Sequence, residues 1–260
     1  MTVNINIKDL FEAGAHFGHR SSRWHPKMAP FIHSKRDDSH IINLDKTVEQ
    51  LEKALPVITK TVSDGKQILF VSTKNQVSDI VREAAESVGQ PYVTDRWLGG
   101  MLTNSATVSS QIKKLKLIEK RMASGELASR YNKLEVQRFA EQIDIGNKKY
   151  SGIKELHGKP GMLFVADAVV DHTAVSEAKK LGIPVMAIAD SNTNPTDIDY
   201  VIPANDDAIG AVKLITDYVV AAVQDGQKTS DKKAAPLDSR IPLDTKDRTA
   251  QASNGVKEKK

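Results

Sequence analysis

The sequence predicts an α/β protein, a parallel sheet with helices on both faces, interrupted by a helical hairpin. Three observations carry this. The wholly apolar runs in "QILFVST", "MLFVAD" and "IPVMAIAD" have the character of strands buried on both faces. Stretches with apolar residues at helical spacing alternate with them, the pattern of βαβ units. Between residues 104 and 157 the alternation stops and a heptad-like stripe replaces it.

In chain order, "HIINL" (40–44) is a short apolar run. The stretch after it, "DKTVEQLEKALPVITKTVSDG", is helical, with Leu51, Leu55 and Ile58 on one face. Residues 67–73 form a strand. "QVSDIVREAAESVG" follows with Val77, Ile80, Val81, Ala84 and Val88 at helical spacing and Gly89 as its stop. "PYVTD" is a weaker strand. In the interruption, Val108, Ile112, Leu115, Ile118 and Met122 make the stripe, "ASGELAS" breaks it, and a second helix is expected from about Tyr131 to Tyr150. Two such helices joined by a short loop read as an antiparallel hairpin. At about 19 residues each would be roughly 28 Å long, with Gly146 weakening the second by roughly 1 kcal/mol relative to Ala. "MLFVAD", the helix around "AVSEAKKLG" and "IPVMAIAD" form another βαβ unit, and "DYVIPA" with "DDAIGAVKLITDYVVAAV" closes the fold.

Composition narrows the function. No apolar run approaches the roughly 18 residues that span a bilayer, the first residues lack a signal pattern, and there is no cysteine to form a disulfide or a thiolate site. The net charge of +4 conceals an asymmetry. Residues 111–160 hold twelve Lys/Arg against six Asp/Glu, while residues 161–226 hold three against ten. A basic block beside an acidic one suits a polyanion approached from one side, and it suits solvated helix faces equally. Residues 227–260 carry nine Lys/Arg against five Asp/Glu, no aromatic and little apolar content. Such a segment cannot offset its ordering entropy by burial and is expected to be a disordered basic tail. The expected layout is a globular domain over 1–103 and 158–226, a hairpin over 104–157, and the tail over 227–260.

A doubly wound sheet invites a nucleotide, but no glycine-rich phosphate loop or nucleophile elbow is present, and the turn after "ILFV" reads "STKNQ". Asp95, Asp167, Asp190, Asp206 and Asp207 collect at strand ends, where they could hold a metal or phosphate or simply cap turns. Five of the seven histidines lie in the first forty residues: His16, His19, His25, His33 and His40. His16-x-x-His19 lacks the spacing and the glutamate of a helical zinc site, which leaves His16 and His19 as weak metal candidates. Their company is more telling. Arg20, Arg23, Lys27, Lys35 and Arg36 are interleaved with Phe17, Trp24 and Phe31. Cations beside flat rings are what phosphates and unstacked RNA bases require. "RWLGGMLTN" repeats the theme with Arg96, its Trp97 being equally a packing residue. On the hairpin, Lys113, Lys114, Lys116, Lys120 and Arg121 leave the outer face of the first helix basic. The candidate RNA contacts are therefore Phe17, His19, Arg20, Arg23, Trp24, His25, Lys27, Lys35, Arg36, Arg96 and these five. The competing reading is a metal- or nucleotide-dependent α/β enzyme built on the aspartates and histidines.

"LFEAGAHFGHRSSRWHPKMAPFI", "HIINLDKTVEQL", "ILFVSTKNQ", "YVTDRWLGGMLTN" and "KLGIPVMAIADSNTNPTDIDYVIPANDDAIGAVKLI" closely resemble the bacterial small-ribosomal-subunit protein S-two family, from about Ile7 to about Val223. The resemblance implies a five-stranded parallel sheet of flavodoxin-like or Rossmann-like kind with a protruding antiparallel coiled-coil hairpin. It implies a structural, non-enzymatic protein of the bacterial cytoplasmic ribosome that binds small-subunit (16S-type) ribosomal RNA without a cofactor. Implied partners are neighbouring small-subunit proteins, including protein S-one, which it helps to dock, with neither a membrane nor a stable homo-oligomer. The sequence departs from the family at Ser72 and Ala204, where glycine is usual, at residues 166–170, and at Thr193-Asn194.

Overall fold

The computed structural model of the chain describes residues 5–234. Helix α1 (Ile7–Glu12) is capped by Asn6, whose side chain accepts from Lys8 N. Strands β1 (Phe17–Arg20), β2 (Ile32–Arg36) and β3 (Ser39–Ile42) then form a small antiparallel sheet in the order β1-β3-β2. Asp37 and Asp38 join β2 to β3 with φ of 46° and 63°. Two left-handed residues in a two-residue loop match the right-handed twist of the strands they connect. The apolar run "HIINL" thus belongs to this accessory sheet and not to the main one.

Helix α2 (Leu44–Ser63) starts where the Asn43 side chain accepts from Asp45 N and Lys46 N. The main sheet comprises β4 (Ile68–Val71), β5 (Tyr92–Val93), β6 (Met162–Val165), β7 (Val185–Ala189) and β8 (Tyr200–Pro203). All its neighbours run parallel, in the order β5-β4-β6-β7-β8. Counted along the chain this is 2-1-3-4-5, the doubly wound order whose switch point lies between β4 and β6. Strand alternation sends Phe70, Phe164, Met186 and Ile202 to one core, under α2, α3 (Ser78–Ser87) and α8 (Ile209–Ala234). Leu69, Val71, Leu163, Val165 and Val185 go to the other, with α7 (His172–Lys180), Trp97, Met101 and Leu102. Two faces are covered, which is why the strands read as apolar runs without alternation.

The interruption forms α4 (Ser105–Ala123), α5 (Glu126–Arg130) and α6 (Lys133–Tyr150). The expected break at "ASGELAS" contains the short α5, introduced by Gly125 at φ 74°. Asn132 and Glu135 close a reciprocal capping box that starts α6. Val108, Ile112, Leu115, Ile118 and Met122 are the shielded positions of α4, and α4 packs on α6. Only Leu115 is buried in α4, and no residue of α6 is. Gly146 has a packing role beyond its low helix propensity. A Cβ there would lie 2.7 Å from Leu115 Cδ1, so its absence lets the two helices close on each other.

Helix α8 continues to Ala234, past the Gln227 limit drawn from composition. Gln227 Nε2 donates to Val88 O at 2.7 Å and ties this turn to the end of α3. The remainder of the expected tail lies outside the described residues.

Candidate nucleic-acid interface

Local sequence explains how the N-terminal segment is displayed. Gly18 lets β1 press against the loop after β7, since a Cβ there would meet His40 O and Ser191 Oγ at 3.0 Å. His19 N then donates to Ser191 Oγ (2.9 Å) and Asp190 Oδ1 (3.2 Å). This anchor leaves Phe17 53% exposed and Trp24 38% exposed, with Arg20 and Arg23 exposed beside them. Among the described residues neither arginine has an acidic partner within ion-pair distance. A cleft of about 530 Å³ lies here, lined by Phe17, His19, Arg20, Arg23, Asp190 and Asp207 among others.

The other expected contacts are less free. Lys35 pairs with Asp38 at 3.3 Å, Arg36 approaches Asp37 at 3.7 Å, and Lys27 Nζ donates to Thr196 Oγ1 at 2.6 Å. His25 Nδ1 accepts from Lys27 N and caps the following 3-10 turn. The histidines do not converge. The His16 ring stacks on Phe11 (centroids 4.3 Å apart, 9° between planes) and meets Phe17 at 4.0 Å, and burial lowers its pKa. His40 is buried under Trp24, with ring centroids 5.1 Å apart. His33 is exposed. Of these five histidines, His19 alone meets carboxylates among the described residues.

Those carboxylates converge at the C-terminal edge of the sheet. His19 Nδ1 lies 2.8 Å from Asp190 Oδ2, and its Nε2 lies 3.5 Å from Asp207 Oδ2. The hydrogen bond to Asp190 raises the His19 pKa against the effect of burial, and the charges of Asp206 and Asp207 add to it. Lys74 Nζ, following β4, reaches Asp207 Oδ1 (2.6 Å), Asp206 Oδ1 (3.0 Å) and Asp167 Oδ2 (3.2 Å). Burial opposes its charge, but the three carboxylates outweigh it and hold the ammonium protonated. Asp206 is 1% exposed, and burial together with the charges of Asp167 and Asp190 pushes its carboxyl up to about 7. Asp167 Oδ1 also accepts from Val169 N and Val170 N, the turn-capping role expected of it. Asp95 is exposed and stands outside the cluster.

These contacts also fill the crevice where doubly wound sheets take nucleotides. Lys74–Asp167 bridges the ends of β4 and β6, and Asp171 accepts from Thr73 N (3.0 Å) and Thr73 Oγ1 (2.7 Å) across the same gap. Ser72 and Ala204 are fully buried.

A second basic locus lies at the base of the hairpin. Trp97 is buried and its Nε1 donates to Glu177 at 3.1 Å, whereas Arg96 faces solvent. Arg96 lines a small cleft with Arg82, Lys148 and Lys149. Sequence reading named only Arg96 of these four. On α4, Lys113, Lys114 and Lys120 are exposed and lack an acidic partner among the described residues. Lys116 is engaged, at 2.7 Å from Glu155 Oε1 and 3.1 Å from Lys154 O, and Arg121 stands 3.9 Å from Glu126.

The family model for ribosomal protein S2 matches residues 10–226. The chain belongs to the ribosomal protein S2 family. A small ribosomal subunit protein uS2 of Rickettsia bellii is 45% identical over 230 residues, covering 87% of this chain and 79% of that protein. Its counterpart in Rickettsia prowazekii is 44% identical over 252 residues, covering 97% and 85%. One from Dehalococcoides mccartyi is 45% identical over 222 residues, covering 85% and 90%. The S2 family is a structural ribosomal component and not an enzyme family, which fits a crevice closed by an ion pair. Among the described residues no helix of this S2-family chain is long and apolar enough to cross a membrane.

Proposed function

We propose that this S2-family protein is a structural constituent of the bacterial small ribosomal subunit that grips small-subunit ribosomal RNA at two basic loci. The observation that carries the reading is a cleft lined by exposed Phe17 with Arg20 and Arg23, which have no acidic partner among the described residues, and an exposed Trp24 adjacent in sequence to Arg23. Guanidinium groups there hold phosphates, and the rings offer stacking faces to unpaired bases. The hairpin, with Lys113, Lys114 and Lys120, adds phosphate contacts that carry no base information. The engagement of Lys116 with Glu155 removes it from that set. Docking of protein S-one and a monomeric state outside the ribosome are further parts of the proposal, supported by the family resemblance.

The test is binding to small-subunit RNA across a salt series. Arg20→Ala with Arg23→Ala should flatten the slope of log K against log salt by about 1.4–1.8 units, as expected for two phosphates at roughly 0.7–0.9 each. Trp24→Ala should weaken binding by about 1–3 kcal/mol at unchanged slope, the amount typical of one stacked base. Wild-type slope and affinity in all of these variants would sink the assignment. Sedimentation of the protein apart from small subunits at low salt would sink the ribosomal role itself.

A further inference from the structure

We propose that the cleft between the turn after β6 and the loop after β7 seats one unpaired base of small-subunit RNA. The inference rests on the RNA-binding reading and adds a base-recognition site to it. The cleft measures about 410 Å³ and is lined by His25, Val169, His172, Val175, Asn194 and Ile198 among others. That volume lies within the roughly 300–1,000 Å³ typical of small-ligand sites. His25 reaches the cleft because its backbone N donates to Ser191 O at 2.7 Å, while Met28 beyond it is buried in the core on the α7 side of the sheet. His172 arrives from the first turn of α7.

The cleft joins an apolar lining to polar groups with fixed roles. Val175 and Ile198 are buried, and Val169 is 43% exposed. Apolar atoms of this kind suit the face of a flat ring. The two imidazoles differ in what they offer. His25 Nδ1 accepts from Lys27 N, so the neutral ring carries its proton on Nε2 and presents a donor. His172 Nδ1 stands 3.2 Å from Val169 O and donates to it, so the neutral ring presents a lone pair at Nε2. Asn194 Oδ1 accepts from Thr196 N and Thr196 Oγ1, which leaves its NH₂ as a further donor. Donors and an acceptor around one cleft match the edge of a nucleobase, which carries both kinds of group side by side. An aliphatic guest would leave them unpaired.

Charge agrees. Asp197, the carboxylate lining the cleft, is paired with Lys179. Lys27 Nζ lies 2.6 Å from Thr196 Oγ1 on the same loop and supplies a cation for the phosphate of the seated nucleotide. A single lysine without a glycine-rich loop grips the phosphates of a free nucleotide poorly, so the base arrives on a strand.

The test uses the full chain with small-subunit RNA, a short single-stranded oligoribonucleotide, a duplex of the same length, and adenosine and uridine monophosphates. His25→Ala and His172→Ala should each weaken binding to small-subunit RNA about tenfold, within the range of one seated base, at an unchanged salt slope. Lys27→Ala should instead flatten that slope by about 0.7–0.9 units. Ser176→Trp, at an exposed position of the same cleft, should block binding there while circular dichroism shows the fold intact. In the wild type, the His25 and His172 side-chain resonances should move on adding the single strand and stay in place with the duplex. Wild-type affinity in folded His25, His172 and Ser176 variants, equal shifts with the duplex, or saturation by a mononucleotide alone would each overturn the proposal. Variants that keep RNA affinity but fail to retain a neighbouring small-subunit protein in reconstituted subunits would also overturn it and make the cleft a protein contact. A wild-type protein that does not bind small-subunit RNA would sink the function proposed above, whereas normal binding with unaffected variants sinks this inference alone.

Discussion

Glu177 shows how much one buried charge can organise. It is 6% exposed, yet its two oxygens accept from Trp97 Nε1, Gly100 N, Leu102 N, Thr103 N and Thr103 Oγ1 at 2.7–3.1 Å. The loop "RWLGGMLT" is thereby wound around a carboxylate on α7, which displays Arg96 beside a buried Trp97. Burial alone would raise the Glu177 pKa, but the donors from Thr103, Trp97, Gly100 and Leu102 together bring it below 4.5. A depressed carboxylate pKa contributes stability that is present above the unfolded pKa and lost as pH falls through the folded one. Glu177→Gln should therefore cost on the order of 2–3 kcal/mol at pH 7, because an amide NH₂ would face N–H donors. The variant should also lose less stability than the wild type between about pH 5 and 3, as read by urea unfolding. Equal acid dependence in both proteins would show that the carboxylate is not the group responsible.

Among the elements, the hairpin depends on one knob and one hole. Leu115 is the buried side chain of α4, and it sits where Gly146 of α6 has no side chain. Leu115→Ala should destabilise the hairpin by about 2 kcal/mol, the low end of core truncations because the site is shallow. Gly146→Ala should by itself crowd Leu115 and offset the roughly 1 kcal/mol gained in helix propensity. Combined, the two changes should be less harmful than Leu115→Ala alone, since the new methyl fills the vacated space. Circular dichroism and amide exchange over residues 105–150 would measure this. A double variant whose loss equals or exceeds the sum of the single losses would rule out direct Leu115–Gly146 packing.

For the whole molecule, two cores flank the sheet while the hairpin has almost none of its own. Phe164 is fully buried and meets Phe70 edge-on, ring centroids 5.4 Å apart and 70° between planes. Phe164→Ala should cost about 3–5 kcal/mol of global stability. Local opening of the hairpin should require far less free energy than opening of the sheet. Native-state hydrogen exchange should show slow amides of β4, β6 and β7 accelerated by Phe164→Ala, and hairpin amides unchanged. A uniform acceleration would mean that hairpin and sheet open as one unit.

What the sequence determined by itself was the local periodicity and its consequences. "ILFV" and "MLFV" read as doubly covered strands, the α4 stripe read as a packed helix face, and Arg20, Arg23, Lys27, Lys35 and Arg36 read as cations interleaved with Phe17, Trp24 and Phe31. All of these depend on residues within a few turns or steps of each other. Tertiary structure decided the rest. His19 meets Asp190 and Asp207 only because β1 docks across the end of β7. Lys74 meets Asp167 and Asp206 only because β4 and β6 are neighbours in the sheet. The pairing of Lys116 with Glu155 depends likewise on how the hairpin closes. Partners so distant in sequence are chosen by which surfaces bury together, and no local pattern encodes that choice.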